Sequence, residues 1–322
     1  MREFAFELAV CAAMEADSDG VIARQLGTSS RIVDVVEIEP GAEFEARTRI
    51  TSEAIPGPAI ESDVGVGRAR KPAAAIDTDA ERARAIADRA VEIGFFEPGR
   101  NERGRTVRRA TRYPEWIGGL RAIENKPDLG RPGDLERQLR TDVSLSLFDE
   151  IVLVTASYVT AAHLNRLPEA VGVRRFDAEA GTFETVREPS RLPSDESGFE
   201  IVDEHPGRTD IEHLSADRKA RLRRRIAERA YGKGWRPTTL PGCERAAAEG
   251  PPFASGEELP YCEWKGRFVD PARECGSDCP EYAPAAPPEA DPEAIRERRT
   301  PWDADPDGVT RRQTGLDRFG DG

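Results

Sequence analysis

The chain has 322 residues, and its 60 Asp and Glu outnumber its 47 Lys and Arg, which gives a formal net charge of −13. This length allows one large domain or two modest ones. No run of about 18 apolar residues occurs, which argues against a membrane-spanning helix. Acids interrupt the first apolar stretch, which is atypical of a signal peptide. We therefore expect a soluble cytoplasmic protein with no membrane partner.

Lysine is scarce among the basic residues, because all of them are Arg except Lys71, Lys126, Lys219, Lys233 and Lys265. Abundant acid with little lysine resembles the proteins of salt-loving archaea. The alternative is an ordinary acidic cytosolic protein. In either case the scarcity draws attention to Lys126.

An amphipathic helix is predicted over Arg2–Ala16, where Glu3 and Glu7 lie one turn apart. A strand rich in β-branched residues follows over Ile32–Ile38. Asp34 interrupts this strand, and a buried carboxylate requires a partner or a cation. The alternative for Asp34 is a strand with one face in water, and for the two glutamates it is a solvated helix face.

The segment from 41 to 117 is too long for a plain loop, so we predict an inserted subdomain there. Asp77 or Thr78 could cap a helix over Ala80–Ile93, and a hairpin is predicted over residues 95–113. A helix followed by an Arg-bearing hairpin is similar to part of a winged helix. The alternative is an insertion that only packs.

A strand, a loop, a helix and a second strand are predicted between Leu120 and Thr155. Side chains alternate across a strand, so Glu124 and Lys126 share one face. A carboxylate beside an ammonium can hold a metal ion and a water. After this stretch we predict a short helix, two strands and a connector, over Thr160–Leu167, Val171–Phe176, Thr182–Arg187 and residues 188–213.

The segment 214–282 is predicted to contain a basic helix and a cysteine module. Nine basic residues and one acid lie between Arg218 and Arg236, a pattern that favours phosphate contacts. The residues proposed for these contacts are Arg218, Arg221, Arg224, Arg225 and Lys233. The alternative is a face that pairs with acids elsewhere.

Four cysteines follow this helix, separated by gaps of 18, 12 and 3 residues: Cys243, Cys262, Cys275 and Cys279. Four thiolates can bind Zn²⁺ or a 4Fe–4S cluster. Free thiols or disulfides are the alternative. Cys11 is expected to be a small core residue. The tail, 283–322, is rich in Pro and acid and is predicted to be mostly disordered.

The order of these elements resembles the PD-(D/E)XK nuclease superfamily. The resemblance implies an α/β fold, a restriction-endonuclease-like mixed sheet flanked by helices, over residues 1–40 and 118–187. It implies that Asp34 and Glu124 bind Mg²⁺ and that Lys126 positions the attacking water. Glu7, or Glu3, matches an acid on the first helix, and Gln138 matches a glutamine on the second.

Three departures from that pattern qualify the resemblance. Val33, not proline, precedes Asp34. The spacer from Asp34 to Glu124 is long, so Glu61–Asp63 or Asp128 could be the true partner. All four cysteines follow the core, whereas in the iron–sulfur nucleases of this superfamily one usually precedes it, so zinc is preferred to a cluster.

The resemblance implies a metal-dependent nuclease that hydrolyses DNA phosphodiester bonds in repair or processing. The alternative is a non-catalytic nucleic-acid-binding or assembly protein with a zinc module, and a third hypothesis is a cluster-bearing redox or sensing protein. The whole chain also resembles a haloarchaeal domain family of unknown function. The sequence leaves open DNA against RNA, and whether the protein forms a homodimer.

Overall fold

A buried helix and two antiparallel strands begin the chain. The computed structural model describes residues 2–27, 32–48, 55–60, 62–64, 69–102, 104–109, 115–130 and 133–299. The first three elements are α1 (Glu3–Asp17), β1 (Val21–Gly27) and β2 (Ile32–Pro40). The helix and the second strand lie where the sequence predicted them. The first strand was not predicted.

Residues 41–117 form a compact unit of their own. Its elements are α2 (Phe44–Thr48), α3 (Gly57–Ile60), α4 (Pro72–Ala75), α5 (Ala80–Glu92), β3 (Phe96–Asn101) and β4 (Gly104–Arg109). The predicted helix and hairpin are present. The cap of α5 is Asp79, not Asp77 or Thr78, because the Asp79 carboxylate accepts hydrogen bonds from the amides of Glu81 and Arg82. Likeness to a winged helix stays a prediction.

The other unit continues with the strand–helix–strand stretch that the sequence predicted. Its next elements are β5 (Ile117–Asn125), α6 (Leu135–Leu145), β6 (Glu150–Thr155), α7 (Ala161–Leu164), β7 (Gly172–Asp177) and β8 (Thr182–Arg187). The six strands of this unit form one sheet in the order β1-β2-β5-β6-β7-β8.

This sheet is mixed. Strands β5, β6 and β7 run parallel, whereas the pairs β1–β2 and β7–β8 are antiparallel. Asp34 bonds to Asn125 at one end of the β2–β5 pair, and Glu37 bonds to Arg121 further along, so these two strands also run in opposite directions. The fold is therefore α/β with a mixed sheet flanked by helices, as predicted.

The predicted connector at 188–213 is wrong in part, because it contains most of a hairpin, β9 (Gly198–His205) and β10 (Arg208–Leu214). The hairpin packs against α6. Alternating apolar residues such as Phe199 and Ile201 favour the strand conformation there. The long helix α8 (Ala216–Lys233) follows, and the Ser215 hydroxyl caps it by accepting a hydrogen bond from the Arg218 amide.

The C-terminal part carries small elements: β11 (Ala246–Glu249), β12 (Leu259–Cys262), β13 (Arg267–Phe268), α9 (Pro271–Glu274) and α10 (Pro292–Arg299). The predicted disordered tail therefore includes a helix, which buries Ile295 and Arg296. The remainder of that tail, from residue 300, lies outside the described residues. Among the described helices, none is both long enough and apolar enough to span a bilayer.

The core of this unit is built around α1. Every residue from Ala5 to Glu15 is buried, as expected for a helix covered on all sides. The same apolar cluster contains six residues of the sheet and three of the C-terminal part: Ile22, Val35, Ile123, Val152, Val154, Phe176, Trp235, Ala254 and Leu259. The helix is thus enclosed by the sheet and the C-terminal part together.

Asp149, just before β6, is a buried carboxylate with several donors. It accepts hydrogen bonds from the Leu120 amide at 2.7 Å, from the Arg223 guanidinium at 2.8 Å and from the Ser194 hydroxyl. Burial alone would raise the pKa of Asp149, but these donors outweigh it and hold the pKa below its ordinary value. The residue therefore joins β5, the segment before β9 and α8 through one charge.

Asp149→Asn should lower the free energy of unfolding by about 3 kcal/mol, because the half-buried Arg223 loses its counter-charge. The exposed Asp195→Asn should change it by less than about 0.5 kcal/mol. Because the pKa of Asp149 is depressed on folding, its contribution is complete above about pH 4 and is lost as the pH falls through the folded value. Urea unfolding in concentrated KCl should show the difference between wild type and Asp149→Asn shrinking below that pH. A difference that is constant with pH would contradict this assignment.

Candidate active site

Asp34 and the segment Glu124–Lys126 meet on neighbouring strands. The Asp34 carboxylate accepts a hydrogen bond of 2.9 Å from the backbone amide of Asn125, the residue between Glu124 and Lys126. Asp34 is half-buried and Glu124 is buried. The long spacer therefore does not separate the two acids, since the insertion leaves β2 and β5 side by side.

Glu7 of α1 lies at the same place through a bridging glutamine. The Gln25 amide donates to the Glu7 carboxylate at 2.7 Å and more weakly to Asp34 at 3.4 Å. Arg24 pairs with the other oxygen of Glu7 at 2.8 Å. Burial raises the pKa of Glu7 above its ordinary value; Arg24 opposes this rise, and the nearby charge of Asp34 adds to it.

Lys126 contacts Glu3, the other acid of α1. The ammonium lies 2.9 Å from the Glu3 carboxylate, whose side chain is 67 % exposed. Ion pairs with such exposure contribute about 1 kcal/mol or less, so another anion can replace Glu3. The structure therefore brings Glu3, Glu7, Asp34 and Lys126 to one end of the β2–β5 pair.

The other candidates lie elsewhere. Gln138 is half-buried on α6, and its role stays a prediction. Asp128 is exposed and caps its own turn by accepting from the Gly130 amide, so it is a poor substitute for Asp34. Glu61 lies outside the described residues, and Asp63 belongs to the unit of residues 41–117.

Asn125 has an unsatisfied side chain beside Asp34. Its amide nitrogen and oxygen are both buried, and within the described part of the chain neither finds a hydrogen-bond partner. An unsatisfied buried polar group costs about 1–3 kcal/mol. Such groups in native proteins commonly belong to sites that hold a water or an ion.

The described residues contain no group of three His, Cys, Asp or Glu side chains already arranged to hold a metal. The acids at the candidate site are instead held by protein donors. The weakest of these contacts is the 3.4 Å bond from Gln25 to Asp34.

The basic helix α8 is used largely for structure, which its sequence did not reveal. Lys219 is fully buried and donates to the Ser146 hydroxyl and the Pro193 carbonyl, both at 2.8 Å. Arg223 binds Asp149 and the Leu147 carbonyl. Arg229 donates to the Gly27 carbonyl at 2.9 Å. These three residues hold the helix to the rest of its unit.

The residues predicted for nucleic-acid contact divide into two groups. Arg218 and Arg221 are exposed, although Arg218 pairs with Glu212 at 2.7 Å. Arg224 and Arg225 are half-buried. Lys233 donates to the Gln25 carbonyl at 2.7 Å, and desolvation, followed by the charges of Arg24 and Arg229, lowers its pKa. Lys233 therefore lies beside the candidate site, on the β1 side.

A groove of about 440 Å³ begins at Arg24, a volume within the range of ligand-binding pockets. Phe4 also lines this groove, and the Arg24 guanidinium stacks on the Phe4 ring, 5.1 Å from the ring centroid. The other lining residues are Pro237, Thr238, Thr239, Leu240, Pro241, Gly242, Asp270, Pro271, Ala272, Cys275 and Tyr282. The groove therefore extends from the candidate site to the cysteine module.

The four predicted metal-binding cysteines line one small cavity, and all five cysteines are free thiols. Cys11 is fully buried in α1, as predicted for a core residue. Burial raises the pKa of the Cys11 thiol well above its ordinary value. The prediction of disulfides finds no support.

Strand β1 carries site residues that sequence reasoning missed, namely Arg24 and Gln25. The signal available was a run of apolar residues, Val21 to Ala23, between Gly20 and Gly27. Gln25 has a φ of 54°, in the left-handed region that residues other than glycine rarely adopt. Such strain often accompanies functional sites.

One family model, described as a family of unknown function (DUF5787), matches residues 21–284. This span includes Asp34, Glu124, Lys126 and the four cysteines of the small cavity. No curated protein and no solved structure matches the chain.

Two substitutions should move the pKa of Glu7 in opposite directions. Arg24→Met should raise it further, because a charge that favours the carboxylate is removed, and Asp34→Asn should lower it, because a repelling charge is removed. NMR titration of the Glu7 carboxyl carbon measures both shifts. Arg175→Met, an exposed change on β7, is the control. If neither substitution at the site moves this pKa, the three side chains are not neighbours.

Proposed function

The chain belongs to the DUF5787 family, which is of unknown function, and we propose from the geometry of its own residues that it is a Mg²⁺-dependent nuclease. Its substrate in this proposal is DNA, whose phosphodiester bonds it hydrolyses. The observation that carries this proposal is the hydrogen bond from the Asn125 amide to Asp34. It brings Asp34 of β2 next to the Glu-x-Lys segment of β5, although 91 residues of sequence separate Asp34 from Asn125.

The order of elements supports the same proposal. Helix α1 is followed by β1, β2, β5, α6 and β6, and these four strands are neighbours in that order, with β5 and β6 parallel. This is the arrangement expected for a restriction-endonuclease-like core. The residues between β2 and β5 form a separate unit, so the insertion leaves the core order intact.

The donor set fits a hard divalent cation. Asp34 and Glu124 would bind Mg²⁺ through carboxylate oxygens, the ligands this ion prefers. When bound, the metal supplies a Lewis acid that lowers the pKa of water and neutralises charge on phosphate.

The remaining roles follow from the contacts of each side chain. Lys126 exchanges its exposed partner Glu3 for a phosphate oxygen, and its charge stabilises the negative charge that develops there. Glu7, with Gln25, holds Asp34 in position from α1. Arg24, which lines the groove and also bonds to Glu7, would contact an adjacent phosphate.

Metal-dependent cleavage of linear DNA tests this proposal. After removal of metals, added Mg²⁺ or Mn²⁺ should restore cleavage in the wild type. Asp34→Asn, Glu124→Gln and Lys126→Ala should each lower the rate by about 100-fold or more, because each removes a metal ligand or a charge that stabilises the transition state. Glu179→Gln, an exposed change in the turn before β8, should retain the rate.

Fluorescence anisotropy in the presence of a chelator separates the chemistry from binding. Lys126→Ala should still bind DNA, since only one contact is removed. A wild type that binds DNA but never cleaves it with either metal would overturn the nuclease proposal. It would favour the non-catalytic nucleic-acid-binding or assembly protein, an alternative that the pairing of Lys126 with Glu3 also permits.

Two arginines two positions apart on α8 distinguish DNA contact from structural support. Arg221→Ala, at an exposed position, should weaken DNA binding and reduce the slope of log affinity against log salt by about one. Arg223→Ala should instead lower the free energy of unfolding by about 3 kcal/mol, because Asp149 is left unpaired. A salt slope that Arg221→Ala leaves unchanged would show that α8 does not contact the DNA backbone.

A further inference from the structure

The cysteine module is held together by very little secondary structure. Its three strands contain four, four and two residues, and α9 contains four. Leu259 anchors the module to the core around α1, but elements this small bury little apolar surface of their own, and modules of this kind commonly contain a staple such as a disulfide or a metal. The described residues of the module offer free thiols rather than disulfides.

Tight turns present the four thiols to one another. Cys262 ends β12, and its carbonyl accepts from the Gly266 amide at 2.8 Å, in a turn where Gly266 has a φ of 60°. Cys275 ends α9, and the Cys279 amide donates to the Gly276 carbonyl at 3.0 Å. Gly276 has a φ of 147°, which allows the short return between these two cysteines.

Cys243, in the segment before β11, lines the same cavity as the other three cysteines. It pairs with Pro284 in an isolated β-bridge, and the Ala246 amide donates to its carbonyl at 3.0 Å. Cys243, Cys262, Cys275 and Cys279 then line one cavity of about 20 Å³. Four thiols from three separate segments of the chain share this cavity, an arrangement that packing alone does not require.

We propose that this cavity is a structural zinc site with Cys243, Cys262, Cys275 and Cys279 as its four ligands. Zinc in structural sites takes four thiolates in a closed tetrahedron. The sulfur atoms do not yet lie at ligand distances, so binding draws them together around the ion. A cavity with room for about one water-sized atom suits a single ion rather than an eight-atom 4Fe–4S cluster.

The charged residues around the cavity are paired with one another. Arg245 lies 3.4 Å from Glu281 and Lys265 lies 3.4 Å from Glu274, and all four residues line the cavity. Four thiolates and Zn²⁺ would carry a net charge of about −2, to which this lining adds no net charge.

The proposed zinc site adjoins the groove. Cys275 lines both the small cavity and the groove that begins at Arg24. Glu274, its neighbour, bonds to Arg2 at 3.2 Å, beside the first residue of α1. The ion would therefore fix one wall of the groove, whether or not the protein cleaves DNA.

Metal content tests the proposal without any assay of activity. The full chain, expressed with both zinc and iron in the medium, should contain about one zinc per chain by mass spectrometry. Titration of the thiols with a mercurial should release that zinc in step with the first four thiols. Cobalt should replace it and give the visible bands of thiolate ligation.

Variants assign the ligands. Cys262→Ser and Cys275→Ser should lose most of the zinc, whereas Cys11→Ala, which changes the thiol in the core, should keep it. Equal loss in Cys11→Ala and Cys262→Ser would overturn the assignment. So would a folded wild type without stoichiometric zinc, or one that contains iron and shows the visible absorbance of a cluster. If the serine variants do not fold, the mercurial and cobalt results on the wild type still decide.

Discussion

Arg236 carries its guanidinium into the core, where it bonds to two carboxylates that are themselves buried. Glu257 accepts two of its hydrogen bonds, each 2.8 Å long, and Glu15 at the end of α1 accepts others. The Trp235 indole adds a bond of 2.8 Å to Glu15. Removal of one member of such a cluster leaves an uncompensated buried charge, which is strongly unfavourable. The position of α1 between the sheet and the C-terminal part depends on this cluster, and Glu3 and Glu7 depend on α1.

The sequence predicted those parts of the fold whose signal is local. Periodicity located α1, β2, β5, α6 and β6, because each buries an apolar face or run. Asp34 within the apolar β2 and the alternation of Glu124 and Lys126 identified the candidate acids and lysine. Their convergence was expected only from the resemblance to a nuclease, since sequence separation alone argued against it.

Other features could not be predicted because their partners are distant in sequence. Lys219, Arg223 and Arg229 look like a solvated basic face, yet they donate to hydroxyl, carboxylate and carbonyl groups 73 to 202 residues away. Gln25 matters through a rare backbone angle and two contacts to other elements. The secondary-structure propensities of single residues cannot predict such contacts between distant segments.

The distribution of cations also shapes how an acidic chain could approach DNA. Some of its basic groups are paired with more than one acid: Arg121 pairs with Glu37, Glu39 and Glu150, and Arg236 pairs with Glu15 and Glu257. These two clusters contain more acids than bases, yet the rest of the chain still carries an excess of acid. In concentrated salt the Debye length falls to about 3 Å at 1 M, so the repulsion of this surface is screened. Close contacts from a few cations could then suffice for an anionic partner.

The insertion between β2 and β5 has a consequence for the order of folding. The pairing of Asp34 with Asn125 closes a loop of 91 residues, and such non-local contacts slow folding because chain entropy is lost before the contact forms. The unit of residues 41–117, however, ties its own ends together through a hydrogen bond of 2.9 Å from the Gly41 amide to the Trp116 carbonyl. Once that unit has folded, the effective connection between the two strands is as short as a hairpin turn. The inserted unit thus works as a folded linker that lowers the entropic barrier to joining the acid of one strand with the lysine of the next.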